Sequence, residues 1–165
     1  MTPRFVTVDE LIYINERIPV VEPIHKILKG KQKVRDMDLL EAAAGRPMQT
    51  VFGADAYPTL PEKAAALLHS IARSHPFADG NKRTAAIAAL YMLAVNGLRV
   101  TWDRAEALAQ IVAVAEGEIG AGEFAAWLPV EPGEAASEPD AERHKELIER
   151  LIAEHAWLLE QLAGR

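Results

Sequence analysis

The sequence predicts an all-α, mainly helical fold with one small β-hairpin and an extra amphipathic helix at its C-terminal end. Three observations predict it. Ala64 to Ile71 is nearly all apolar, Ala85 to Leu93 repeats that composition one loop later, and both stretches are bounded by helix-starting and helix-stopping residues. Helices that are apolar on all sides must be buried, so these two form a central pair. With 165 residues, 50% of them hydrophobic and 25% charged, the chain is long enough for one domain with a proper core.

Taken in order, Phe5-Val6-Thr7 reads as a short extended segment, and Thr7-Val8-Asp9-Glu10 has the form of a capping box. The helix that follows distributes Leu11, Ile12, Ile14, Asn15 and Ile18 over its faces and ends at Pro19. Residues 19–35 show no clear period, and the basic run Lys26, Lys29, Lys31, Lys33, Arg35 reads as solvated surface. Asp36 to Ala44 predicts a second helix, closed by Gly45 with Pro47 beyond it. Residues 48–60, around Gly53, lack a helical period and predict a hairpin or flap. Thr59-Leu60-Pro61-Glu62 restarts a helix with a capping box and an early proline.

This helix delivers the chain to a loop beginning at Ser74, and the next helix runs to about Val95, where Asn96-Gly97 stops it. Leu98 to Thr101 reads as an extended link. Asp103 caps a helix that carries Ala107, Leu108, Ile111, Val112 and Val114 to about Glu116, and Glu123 to Leu128 gives a short one with Phe124 and Trp127 for packing. The proline, glycine and acid content of residues 129–139 marks a linker. The expected organisation is therefore a domain over 1–128, a linker over 129–139 and an amphipathic helix over 140–165. In that helix Ile148, Leu151, His155, Leu158 and Leu162 step by 3, 4, 3 and 4, with Ile152 and Leu159 widening the stripe. Periodicity does not say whether its own domain, a second copy of the chain or another partner covers the stripe.

Composition narrows the function. The chain has no cysteine, which excludes disulfides and thiolate metal sites. A formal charge of −6 argues against a general nucleic-acid binder. No signal-peptide core and no bilayer-length apolar run is present, so a soluble cytoplasmic protein is expected, without direct nucleic-acid or membrane partners. No Gly-x4-Gly-Lys-Ser/Thr occurs, and His69, His75 and Asp79 lack a convincing zinc spacing.

The chemistry concentrates in Ser74-His75-Pro76-Phe77-Ala78-Asp79-Gly80-Asn81-Lys82-Arg83-Thr84, at the start of the second central helix. A helix start offers backbone N–H groups and the positive end of the macrodipole, and a glycine there permits close approach of an anion. Taken singly, Asp79 could be a helix cap, Lys82 and Arg83 solvated residues, and His75 a core histidine. Two cations in the first turn, however, oppose the macrodipole by roughly 0.3–1 kcal/mol each. Together the residues predict an anion site, most plausibly for phosphate, with His75 as a general base and Asp79 as ligand to a hard cation.

The run His75-Pro76-Phe77-Ala78-Asp79-Gly80-Asn81-Lys82-Arg83-Thr84 resembles the signature of the Fic/Doc family, and closely that of its Doc branch. Arg35-Asp36, Leu40-Glu41, Arg46-Pro47, Ala56 to Leu60, Glu62 to Ala65 and Asn96-Gly97 resemble it too, so the likeness spans roughly residues 4–128. The resemblance implies a Fic/Doc-type compact helical bundle whose central pair carries the loop, and a flap that aligns a target polypeptide by strand addition. Adenylylating Fic enzymes have His-x-Phe-x-Asp/Glu-Gly-Asn-Gly-Arg-x-x-Arg. Here Lys82 replaces the second glycine and Ala86 the second arginine. The lysine fills space in which inner phosphates would lie on the backbone, and the lost arginine removes a bidentate clamp. The Doc branch shares both changes.

The resemblance therefore implies a protein kinase that transfers the γ-phosphoryl group of ATP, with Mg²⁺, to a threonine of elongation factor Tu and so inhibits translation. Its branch implies a toxin–antitoxin system with a Phd-type antitoxin as partner. Carried over to this chain, His75 is the base, Asp79 the Mg²⁺ ligand, and Gly80, Asn81, Lys82 and Arg83 the phosphate cradle. Arg73 is an accessory phosphate contact and Phe77 a structural anchor. AMP transfer, or a catalytically silent nucleotide-binding or regulatory module, are the alternatives. A homodimer through the C-terminal helix is a further expectation.

Overall fold

A computed structural model of the chain describes residues 3–18, 34–134 and 141–163. Thr7 caps α1 (Val8–Arg17) through the expected reciprocal bonds with Glu10, and Ile18 closes it. Asp36 caps α2 (Met37–Gly45), which passes into a single 3₁₀ turn over Arg46–Met48. A two-residue hairpin follows, β1 (Thr50–Val51) against β2 (Ala54–Asp55), with Phe52 and Gly53 both at positive φ in its turn. Thr59 caps α3 (Leu60–Ser74), and after the loop comes α4 (Asn81–Val95).

The helices α3 and α4 form the central pair that the apolar runs predict. Ala64 to Leu68, Ile71 and Ala72 on α3, and Ala85 to Leu93 on α4, are all buried. Short alanine side chains let the two axes approach closely, and the surrounding helices fill the remaining space. On one side lie α1 and α2; on the other lie α5 (Arg104–Ala115) and α6 (Ala121–Trp127). Leu11, Ile14 and Leu40 on the first side and Ile111, Val114 and Phe124 on the second close the core. A predominantly helical fold carrying the small β1–β2 hairpin is thus established, as the sequence predicts.

Two expectations change. The first residues assigned to the linker form a strand, β4 (Val130–Pro132), paired antiparallel with β3 (Leu98–Val100), the segment read as an extended link. Proline ends each helix pattern but leaves an edge strand possible, and β4 has a single partner. The terminal amphipathic helix is two helices, α7 (Ala141–Glu154) and α8 (Ala156–Ala163), separated at His155. That break lets one stripe follow two surfaces: α7 packs on α4, while α8 packs on α4 and α5. Leu147, Ile148, Leu151, Leu158, Leu159 and Leu162 are all buried. The chain itself covers the stripe that also suggested pairing with a second copy. Of the basic run, Lys26 to Lys33 lie outside the described residues.

Polar contacts lock α7 to the beginning of the chain. His144, 7% exposed, sits 3.1 Å from Arg4 Nη2, and Arg4 bonds Glu10 at 2.6 Å. The Tyr91 hydroxyl also donates to Glu10. Burial pushes the Glu10 carboxyl up, but the bonds from Arg4, Tyr91 and the Thr7 backbone hold it below the usual range.

Candidate active site

The loop between the central helices begins with a strained residue. His75 closes α3 in the left-handed conformation, φ 52° and ψ 59°, where a side chain with Cβ is disfavoured. Its surroundings hold it there. The His75 N–H donates to Ile71 O at 3.2 Å, and Arg35 donates to His75 O at 2.7 Å and to Ser74 O at 2.9 Å. The backbone N–H groups of Arg35 and Asp36 both reach Pro76 O, and Val34 forms a bridge with Phe77. The segment before α2 therefore clamps the end of α3.

The other end of the loop is fixed from within. Phe77 is 1% exposed and anchors the loop in the core. The Asn81 side chain closes a ring on it, accepting from Phe77 N at 3.0 Å and donating to Phe77 O at 2.9 Å. Asn15 on α1 donates to Asp79 O at 2.9 Å and to Thr84 Oγ1 at 3.1 Å. Gly80 caps α4 at φ 74°, and a Cβ there would meet Arg83 Nη2 and Asn15 Nδ2, each at 3.4 Å. These are ordinary van der Waals distances, so it is the left-handed backbone that calls for glycine.

These constraints leave a polar cleft of about 190 Å³ lined by His75, Ala78, Asp79, Gly80, Asn81, Lys82 and Arg83, with Leu162 and Ala163 of α8 as the remaining wall. His75 and Asp79 are exposed, whereas Arg83 is buried beneath, with Nη2 3.4 Å from Asp79 Oδ2. Burial lowers the Arg83 pKa and the Asp79 charge opposes this. No acid occupies the first turn of α4, so its dipole and two cations act in one direction. The arrangement can hold a phosphate-like anion beside an imidazole and a carboxylate.

The predicted site residues largely converge. His75, Asp79, Gly80, Lys82 and Arg83 share the cleft, and Phe77 lies beneath it. Asn81 lines it too, but its amide is engaged in closing the loop, which leaves its main chain for the cradle. Arg73 does not join them: its Nη1 donates to Ala115 O at 2.8 Å, and its guanidinium lies against Gly117. It caps the end of α5. Among the described residues no group of three or more His, Cys, Asp or Glu could hold a metal. Asp79 alone suits Mg²⁺, which commonly takes one or two carboxylates and completes its shell with phosphate oxygens and water.

Sequence reasoning missed Arg35, Asn15 and the two residues of α8. Arg35 stood in a basic run and looked like surface. Asn15 carried a signal, being an amide between apolar neighbours on α1.

The flap is rooted firmly and apolar at its tip. Lys63, 3% exposed, donates to Asp55 Oδ2 at 3.2 Å and to the Tyr57 carbonyl. Arg46 donates to the Tyr57 hydroxyl at 2.9 Å and its Nη1 lies 2.6 Å from His69 Nδ1. Burial, with the charges of Arg46 and Arg73, pushes His69 below its usual pKa. Phe52 at the tip is fully exposed, and Met48 and Val51 are about half exposed.

Comparison with known proteins adds two findings. The family model described as Fic/DOC family matches residues 5–93. A curated relative, Toxin Doc of Mycolicibacterium smegmatis, is 54% identical over 88 residues, a stretch covering 51% of this chain and 68% of that protein.

Proposed function

Because the chain belongs to the Fic/DOC family, we propose that it is a Doc-like toxin acting as a protein kinase, which moves the γ-phosphoryl group of ATP to a hydroxyl of a target protein. The observation that carries this reading is Lys82, placed on the first turn of α4 in the same cleft as His75, Asp79 and Arg83. A glycine there would open the backbone to inner phosphates; a lysine instead offers a point charge to a terminal one.

His75 takes the proton of the target hydroxyl, for which imidazole suits near-neutral pH. The hydroxyl oxygen forms a bond to the γ-phosphorus as the bond from that phosphorus to the bridging β–γ oxygen breaks, and ADP leaves. Lys82, Arg83 and the start of α4 stabilise the charge on the transferred group, and Gly80 lets its oxygens approach the main chain. Asp79 would hold Mg²⁺, which supplies charge neutralisation to the phosphates when bound. The rigid loop does most of the work by positioning. The flap, with its exposed edge and apolar tip, aligns an extended segment of the target by strand addition.

A threonine of elongation factor Tu is the proposed acceptor, with arrest of translation as the outcome. A Phd-type antitoxin is the proposed partner. Support for the toxin assignment comes from the name of the relative, which is that of a toxin. The test is incubation of the protein with magnesium, elongation factor Tu and ATP labelled separately at the α and γ phosphates. Label from γ on a threonine supports the kinase; label from α indicates AMP transfer; no label with nucleotide bound indicates a silent module.

A further inference from the structure

The peptide between Asp79 and Gly80 has two orientations open to it. A trans peptide is planar, with its C=O and N–H pointing in opposite directions, and reversing this one would carry the φ of Gly80 from its observed 74° to a negative value. Glycine accepts either sign at similar cost, so the residue itself does not choose. Asn15 makes the choice. Its Nδ2 donates to Asp79 O at 2.9 Å and to Thr84 Oγ1 at 3.1 Å. Thr84 is fully buried, and Leu11 and Ile14 seat α1 in the core, so the amide is held at a fixed place. The carbonyl is thus drawn toward α1, whose residues do not line the cleft. The Gly80 N–H points the other way, and Gly80 is a cleft residue. Among the described residues that N–H makes no hydrogen bond.

We propose that Asn15 is a positioning residue for phosphoryl transfer: it turns the Asp79–Gly80 peptide so that the Gly80 N–H faces the phosphoryl group in the cleft. This rests on the nucleotide reading of the cleft. The N–H then joins the first-turn N–H groups of α4, and needs no rearrangement as charge develops on the transferred group. Asn15 touches neither nucleotide nor target and acts only through the peptide. Its loss should cost what a missing donor costs, about 10²-fold in kcat, with little change in the KM for ATP.

The test uses the full-length protein labelled with ¹³C-carbonyl aspartate and ¹⁵N-glycine. Asp79-Gly80 is the sole Asp-Gly pair in the sequence, so the double label isolates one amide by NMR. Magnesium ATP is the probe, and transfer of γ label to elongation factor Tu is measured in parallel. Expected is a downfield shift of the Gly80 amide proton when ATP binds the wild type. Asn15→Leu, similar in shape but without a donor, should abolish the shift and lower kcat about 10²-fold, with the ATP KM changed by less than about threefold. Asn15→His should restore part of both, because its Nδ1 branches from Cγ as the asparagine Nδ2 does and can donate to Asp79 O. A Gly80 amide that stays in place when ATP binds the wild type overturns the proposal, whether or not the variants fold. An unaltered shift in Asn15→Leu overturns it too, even with kcat reduced, since Asn15 would then be only structural. A shift that follows the proposal without label on elongation factor Tu supports the placement of the N–H and removes the kinase reading alone. If ATP does not bind, the nucleotide reading and the role of Asn15 fall together.

Discussion

The Nε of Arg35 donates to the main-chain oxygen of His75 at 2.7 Å while its Nη2 donates to that of Ser74 at 2.9 Å. One guanidinium thus satisfies carbonyls at the end of α3 and holds the left-handed turn that presents the imidazole. Arg35→Ala should lower kcat by about 10²-fold, the scale of a misplacement near 1 Å. Because the side chain is exposed, its loss should cost only about 1 kcal/mol of stability. Arg35→Lys should restore little, since an ammonium lacks the fork that spans two acceptors. Steady-state kinetics beside thermal melts would separate the two effects, and an unchanged kcat for Arg35→Ala would make the clamp irrelevant to catalysis.

Asn81 offers a contrasting case, because its two bonds to Phe77 are buried. Asn81→Ala would leave the Phe77 N–H and C=O without partners, at about 1–3 kcal/mol each. Asn81→Asp keeps the acceptor for Phe77 N but removes the donor to Phe77 O, so it should destabilise too. Urea unfolding would report both losses, and wild-type stability for Asn81→Ala would mean that water or the loop replaces the amide.

How much of this could be read in advance depends on the range of the interaction. The two central helices, the loop between them, and the caps of α1, α2, α3 and α5 at Thr7, Asp36, Thr59 and Asp103 follow from signals within a few residues. So does the gathering of His75, Asp79, Lys82 and Arg83, because a turn of helix brings neighbours in sequence together. Arg35 acts across 40 residues and Asn15 across 64, and nothing local tells a clamp from a solvated cation. Arg73 illustrates the converse: the family resemblance implied a phosphate contact, but the helix turns its guanidinium toward Ala115. The bend at His155 was hidden because the apolar stripe continues through it unbroken.

Lys82 governs the chemistry proposed for the cleft. Lys82→Gly should lower γ transfer and admit weak AMP transfer, since glycine reopens the backbone to inner phosphates. The activity should stay weak because Ala86 is fully buried, with no guanidinium clamp in its place. Labelled ATP gives the answer directly: continued transfer from γ alone would show that Lys82 does not set the orientation of the nucleotide.

Acid should release the tail before it unfolds the core. His155 is pushed below its usual pKa by burial, with Glu154 partly opposing, and its ring packs edge-on against Trp102 at 5.9 Å. Between the folded and unfolded pKa values the unfolded chain binds more protons, so stability rises with pH across that interval. The contribution is complete above the unfolded value of about 6.5 and is lost as pH falls from there toward the folded value. His69, also shifted down, adds a loss of the same sign at the flap root. Glu10, held low, keeps its contribution until pH falls below the ordinary carboxylate range of about 4.3, so the contact with Arg4 should outlast the joint at His155. All three tryptophans report on this region: Trp102 stacks on Trp127, and Trp157 lies on α8 under Arg104. Tryptophan fluorescence should therefore change as pH falls below about 6.5, while the helical circular dichroism signal changes little. His155→Gln, which cannot take up the proton, should flatten the fluorescence change and leave any acid transition near pH 4 in place. A titration identical to that of the wild type would remove His155 as the cause and place the pH sensitivity elsewhere.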